Sequence, residues 1–226
     1  IPPVSVDRQC GINGIIGNSI IIGGGEGDPA LSTVLCFNLS NAEQGWTEVK
    51  PMLRPRHWAA SCTFNGKFFV FGGVDSDHQE RSDCEFYDPV KNEWMEIASM
   101  ITPRIFASAV EFKGRIFVVG GELDPEEVEE LKETESYDPI SNTWTKHADL
   151  ITGRFQCTLL VSNGRLFVAG GLRYERDYET SVFSIEEYLP ESDEWIERGE
   201  MRVFDMDGAT ILSVPVPSSI PIEGTF

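Results

Sequence analysis

The sequence predicts an all-β protein made of four similar antiparallel sheets, and three repeating features predict it. A pair of glycines ends a short apolar run four times along the 226-residue chain. A tryptophan follows each glycine pair by about 21 to 24 residues, with an aromatic residue between them. An arginine precedes each pair by 15 or 16 residues. Markers that recur in a fixed order about every 50 residues indicate one structural unit repeated along the chain.

The markers locate four units. The glycine pairs are Gly23-Gly24, Gly72-Gly73, Gly120-Gly121 and Gly170-Gly171, at intervals of 49, 48 and 50 residues. The tryptophans are Trp46, Trp94, Trp144 and Trp195, and the aromatic residues before them are Phe37, Tyr87, Tyr137 and Tyr188. The arginines are Arg8, Arg56, Arg104 and Arg154. We therefore place the units at approximately residues 8–47, 56–96, 104–146 and 154–197, with an additional strand at 207–214.

Each unit is predicted to contain four short strands, here called A to D. In the third unit, residues 107–112 form strand A and residues 115–119 form strand B, joined by a tight turn at Lys113-Gly114. Strand C ends at Tyr137, and Asp138-Pro139 begins the turn to strand D. A single four-stranded sheet cannot bury both of its faces. The units are therefore expected to stack around an axis as the blades of a β-propeller, in one domain.

Residue size predicts how each blade is oriented. Strand A carries small residues such as Ala60 and Ser108, which suit the innermost position because space narrows towards the axis. The four tryptophans are predicted to lie in the core between neighbouring blades, where aromatic side chains supply a large apolar area.

The series Arg…Gly-Gly…Tyr-Asp-Pro-x-x-Asn-x-Trp resembles the Kelch repeat over nearly the whole chain. Residues 85–94, Glu-Phe-Tyr-Asp-Pro-Val-Lys-Asn-Glu-Trp, are especially close to that pattern. The first repeat departs from it, because Asn38-Leu39 replaces the Asp-Pro turn, and the fourth repeat has Leu189-Pro190. The resemblance implies a Kelch-type propeller, usually a closed ring of six blades. About two further blades are therefore expected upstream, with the strand at 207–214 completing the first blade of the ring. The alternative is a separate ring of four or five blades.

Composition and charge exclude several classes of protein. The chain has 37 acidic and 18 basic residues, a net charge of −19, which disfavours nucleic acid and anionic membrane surfaces as ligands. No apolar run approaches the roughly 18 residues of a membrane span. Five cysteines without a C-x-x-C pair fit free thiols in a reducing, cytoplasmic compartment. No metal or other cofactor is expected, since no His, Cys or carboxylate cluster has ligand spacing.

The sequence predicts a protein or peptide ligand on one side of the ring, where the D–A and B–C loops open. In the ubiquitin-ligase adaptors that this sequence resembles, arginines at this repeat position help to grip acidic peptides. Alternatively, a repeated arginine bonds carbonyls or carboxylates of the neighbouring blade. The predicted binding rim comprises Arg8, Arg56, His57, Arg104, Phe106, Arg154 and Phe155 from the D–A loops, and Asp75, Glu122 and Tyr174 from the B–C loops.

Three classes of function follow from the resemblance. The first is the substrate-recognition domain of a cullin-RING ubiquitin ligase adaptor, joined to cullin-3 through a BTB/BACK segment, or carrying an F-box segment, outside this sequence. The second is a cytoskeletal module that binds actin. The third is an enzyme of the galactose oxidase type, whose copper ligands cannot be placed on this sequence. A non-catalytic binding domain is therefore favoured.

Overall fold

The computed structural model describes residues 4, 8–27, 31–77, 79–123, 130–175 and 178–201. Four four-stranded antiparallel sheets account for most of these residues and confirm the predicted all-β propeller fold. The predicted strand at 207–214 lies outside the described residues. The strands are β1 (Ile12–Ile16), β2 (Ser19–Gly23), β3 (Val34–Asn38), β4 (Trp46–Val49), β5 (Ala60–Phe64), β6 (Lys67–Phe71), β7 (Cys84–Asp88), β8 (Glu93–Ile97), β9 (Ser108–Phe112), β10 (Arg115–Val119), β11 (Thr134–Asp138), β12 (Thr143–His147), β13 (Thr158–Ser162), β14 (Arg165–Ala169), β15 (Leu172–Glu175), β16 (Tyr178–Ser181), β17 (Ser184–Leu189) and β18 (Glu194–Glu200).

The strands of each sheet pair in chain order, as a meander. The four sheets run β1-β2-β3-β4, β5-β6-β7-β8, β9-β10-β11-β12 and β13-β14-β17-β18, which we call blades 1 to 4. Strand A of each blade lies beside strand A of the next, since β1 contacts β5, β5 contacts β9 and β9 contacts β13. Strand A is therefore the innermost strand, as its small residues predict.

The hydrophobic core consists of separate layers between neighbouring blades. Phe71 and Cys84 of blade 2, for example, pack with Ile116 and Val118 of blade 3. The indole N–H of Trp94 donates to the carbonyl of Lys50 at 2.8 Å, across the boundary between blades 1 and 2. The equivalent Trp144 donates to Ala98 at 2.7 Å, and Trp195 to Thr134 at 3.0 Å. These three tryptophans join adjacent blades, which confirms their predicted position. Trp46 is half-buried and packs on Phe37 within blade 1.

The glycine pair of blade 1 is Gly24-Gly25, and the predicted pair Gly23-Gly24 is wrong by one residue. Gly23 is the last residue of β2, where Phe71 stands in β6. Three consecutive glycines hide this register in the sequence. With the corrected pair, the first glycine lies 16 residues after the arginine in every blade, and its φ is between +61° and +66°.

Two local elements differ from the predicted blade pattern. The B–C loop of blade 4 contains a hairpin, in which β15 pairs with β16. In blade 1, a 3-10 helix over Leu39–Gln44 replaces the C–D turn, in keeping with the missing Asp-Pro sequence. No helix in the described part of the chain is long and apolar enough to cross a membrane.

Candidate functional site

Each D–A loop is fixed by its arginine, which connects two blades. The carbonyl of Arg104 accepts a hydrogen bond from Gly73 of blade 2 at 3.0 Å. Its guanidinium donates to carbonyls of blade 3, at 2.8 Å to Gly120 and 3.0 Å to Glu133. It also forms an ion pair with Glu135 at 2.6 Å. The main chain of Arg104 is thus bonded to one blade and its side chain to the next.

The same arrangement recurs at the next two boundaries. Arg56 donates to the carbonyl of Gly72 at 2.7 Å and to Glu85 at 2.9 Å. Arg154 donates to Gly170 at 3.1 Å and forms an ion pair with Glu186. The side chains of these arginines and of Arg104 have no solvent exposure.

The structure therefore contradicts the placement of Arg56, Arg104 and Arg154 on an exposed rim. Their guanidinium groups are buried and already bonded to carbonyls and carboxylates of the protein, which is the alternative that the sequence left open. Removing either partner of such a pair leaves an uncompensated charge in the interior, so these arginines stabilise the blade stack.

Burial and ion pairing shift the pKa values of the charged residues at the blade boundaries. Burial lowers the pKa of Arg104, and the neighbouring Glu135 offsets part of that effect. Burial also raises the pKa of Glu85, with a partial offset from Arg56. For Asp83, burial acts to raise the pKa, but the charges and hydrogen bonds of Arg56 and Arg81 outweigh it, and the pKa is lowered.

Arg8 differs from the other three arginines. Its guanidinium donates to the carbonyls of Gly24 and Thr33 at 2.9 Å and to the Thr33 hydroxyl at 2.7 Å. Leu35 occupies the strand position that holds Glu85 in blade 2. Arg8 is only half-buried and lines an open cleft of about 540 Å³ beside Ile12. Its pKa is lowered by burial, with a partial offset from Glu48.

The structure brings several other predicted rim residues together near the propeller axis. The rings of Phe106 and Phe155 are 6.2 Å apart, and those of Phe155 and Tyr174 are 5.0 Å apart. The Tyr174 hydroxyl donates to Glu122 at 2.9 Å. Of this group, Phe106 and Tyr174 are half-buried, whereas Phe155 and Glu122 are buried and offer little surface to a partner.

The remaining predicted residues lie closer to blade 2. His57 is buried, so its predicted place on the surface of the rim is wrong, and its ring lies 4.6 Å from that of Trp58. Asp75 is half-buried and pairs with Arg81 at 2.6 Å. Among the described residues, no three His, Cys, Asp or Glu side chains are grouped so that they could hold a metal ion.

A ladder of backbone hydrogen bonds links the segments that precede the four innermost strands, and we call the surface formed by its residues the mouth of the axis. Trp58 donates to the carbonyl of Cys10 at 3.0 Å, Phe106 to Trp58 at 2.9 Å, and Gln156 to Phe106 at 2.9 Å. All four residues have φ between +52° and +57°, a conformation that costs energy for residues with a side chain. Each residue lies two positions after its arginine, so the bonds of the arginines help to fix the direction of the side chains at the mouth.

The sequence-based prediction missed an exposed apolar residue in three successive D–A loops. Each lies three positions before the buried arginine, and its backbone N–H donates to a buried glutamate of the next blade at 2.7 to 2.8 Å. That hydrogen bond directs the backbone N–H towards the interior of the protein, and the side chain of the same residue remains exposed to solvent. A repeated apolar residue in a loop was the available signal in the sequence. The three residues, which we call the apolar arc, are Leu53 (53% exposed), Ile101 (55%) and Ile151 (47%).

Comparison with known proteins agrees with this architecture. The family model described as the KLHDC2/KLHL20/DRC7 Kelch-repeats domain matches residues 12–207. The chain therefore belongs to the Kelch-repeat family, whose propellers are typically protein-interaction modules. A solved structure entitled "Structure of YjhT" is similar over 91% of this chain and 69% of that chain, with a TM-score of 0.74 and 17% sequence identity. That likeness shows the fold alone. No curated protein sequence matched the chain.

Proposed function

We propose that the loop face, the side of the propeller formed by the D–A and B–C loops, binds a protein partner without catalysing a reaction. The apolar arc carries this proposal. Three apolar side chains stand about half exposed at equivalent positions of successive blades, and buried glutamates hold their loops in place. Residues whose main chain is already held in place lose little conformational entropy when a partner binds, so such a surface is suited to recognition.

We further propose that this chain is the substrate-recognition domain of a cullin-RING ubiquitin ligase adaptor in the cytoplasm. Its support is the resemblance of the repeats to those of such adaptors and the membership of the Kelch-repeat family. The five cysteines, all of which are free thiols, support a reducing compartment. In this role the propeller holds the substrate, and a segment outside this sequence contacts cullin-3.

The test uses the full-length protein that contains this chain. Cullin-3 is expected to co-purify with it, and proteins bound to the loop face are expected to accumulate ubiquitin in its presence. Ile101→Asp should reduce that ubiquitin transfer, whereas Ile140→Asp should not, because Ile140 is 96% exposed in the C–D turn at the opposite end of the sheets. Absence of cullin-3 would refute the ligase assignment, and equal effects of the two variants would refute the loop face. Co-sedimentation with actin filaments tests the cytoskeletal alternative.

A further inference from the structure

Three of the four arginines of the repeat are buried and cannot bind an acidic ligand on the loop face. Arg56, Arg104 and Arg154 have no exposed surface, and each is bonded to a carboxylate of the protein. Of the basic residues in the B–C loops, Arg81 is engaged by Asp75 and Asp83. Three of the four arginines expected to bind a partner are therefore occupied inside the propeller, and the fourth, Arg8, is half-buried.

The B–C loops are strongly acidic in sequence. Residues 24–33, 72–83, 120–133 and 170–183 contain 16 acidic and four basic residues, and the whole chain carries a net charge of −19. A field of this sign attracts a basic partner and repels an acidic one, both during encounter and in the complex.

The mouth of the axis adds an aromatic surface of suitable chemistry. The rings of Trp58 and Phe106 are 4.7 Å apart, both side chains are half-buried, and their backbone hydrogen-bond ladder holds them in place. The face of an aromatic ring attracts lysine and arginine cations, tryptophan most strongly. The aromatic pair can thus contact a cation, while the apolar arc contacts an apolar side chain.

We propose that the partner presents a basic segment that also carries apolar side chains, and that this segment docks across the apolar arc and the Trp58–Phe106 pair. The proposal rests on the proposed binding function of the loop face and specifies its ligand. It replaces the acidic peptide that the arginine series predicted, because three of those four arginines are buried.

Three fluorescein-labelled peptides test this proposal by fluorescence anisotropy with the full chain. They are an alternating Lys-Leu peptide, a Glu-Leu peptide and a Lys-Ser peptide of equal length. The Lys-Leu peptide should bind, and its affinity should fall severalfold as salt rises from about 50 mM to about 500 mM, because salt screens charge attraction. The Lys-Ser peptide should bind more weakly by roughly tenfold, since it offers no apolar contact to the arc.

Two matched variants localise the binding. Ile101→Ser should lower the affinity for the Lys-Leu peptide by roughly fivefold to tenfold. Ile140→Ser, at the opposite end of the sheets, should leave that affinity unchanged. If the Glu-Leu peptide binds more tightly and Ile101→Ser weakens it, the basic partner is wrong while the loop-face function stands. If the two variants affect the Lys-Leu peptide equally, or that peptide does not bind, the docking proposal is overturned.

Discussion

The guanidinium of Arg104 lies 2.6 Å from the carboxylate of Glu135, and neither side chain is exposed. The same carboxylate accepts the backbone N–H groups of Ile101 and Thr102 at 2.7 and 3.0 Å. Glu135 therefore connects the buried arginine to the loop that presents Ile101 to solvent. Under the proposed function, stability and recognition depend on the same group, because the interaction that fixes blade 3 against blade 2 also orients the exposed apolar side chain.

Removing only the arginine of this ion pair is expected to destabilise the protein strongly. Arg104→Met should lower the free energy of unfolding by about 3–5 kcal/mol, because it leaves the Glu135 carboxylate buried without its cation. Urea denaturation of the chain measures this change. The double variant Arg104→Met/Glu135→Met should recover part of the loss, since no buried charge then remains unpaired.

Arg8 provides the internal comparison for that experiment. Leu35 stands where the other blades have glutamate, and Arg8 is half-buried, so Arg8→Met leaves no buried carboxylate beside it. Its expected loss is about 1–2 kcal/mol, for hydrogen bonds to neutral groups. Equal losses for the Arg8 and Arg104 variants would contradict the role assigned to the buried ion pair.

The sequence was sufficient for the propeller but insufficient for the role of its arginines. Periodic glycines, aromatics and tryptophans predicted the blades, because each marker has one structural function that recurs. The arginine series fits two roles, binding a ligand at the surface or forming an ion pair inside the protein. The glutamate that decides between these roles is distant in sequence, since Glu85 lies 29 residues after Arg56. The glutamate recurs at this strand position in three blades, and Leu35 replaces it in the first. Comparing which repeat positions carry opposite charges could therefore have identified the ion pair.

In blades 1 to 3, the first glycine of the pair is required for close approach between blades as well as for its backbone conformation. A Cβ on Gly120 would lie under 3.0 Å from the carbonyl oxygen of Arg154, at φ +61°. Gly120→Ala should therefore cost about 3 kcal/mol or more in unfolding free energy. Gly114 has φ +80° but open space around it, so Gly114→Ala should cost only about 1–2 kcal/mol, from conformation alone. Urea midpoints that shift equally for both variants would argue against an inter-blade clash.

The C–D turns carry a second bond between blades. Oδ1 of Asn142 accepts the hydroxyl of Tyr137 at 2.9 Å and the backbone N–H of Ala98, in the preceding blade, at 2.9 Å. Asn142→Gly preserves the positive φ but removes both bonds, and should lower the melting temperature by several degrees, from a loss of about 1–2 kcal/mol. Asn142→Asp should stay close to the wild type, because Asp193 makes both equivalent bonds in blade 4. A low melting temperature for the aspartate variant would contradict this account.

His147 connects blades 3 and 4, and we expect it to make their interface sensitive to pH. Its ring stacks on Phe117 at 5.1 Å, and its nitrogens lie 2.8 Å from the Ser136 hydroxyl and 3.0 Å from the Tyr188 hydroxyl. Burial lowers the pKa of His147. Asp193 partly offsets this effect, and the nearby charge of Arg115 adds to it.

A histidine whose pKa is lowered by folding binds its proton more readily in the unfolded chain. Its contribution to stability is therefore complete above the ordinary value of 6.5, and it is lost as the pH falls from 6.5 towards the lowered pKa of the folded state. His147→Gln keeps a polar side chain that does not titrate, so the difference in unfolding free energy between the wild type and the variant should change through this window and level off above it. Urea denaturation at intervals from about pH 5 to about pH 8 measures that difference. A difference independent of pH would mean that His147 has the same proton affinity in the folded and unfolded chains.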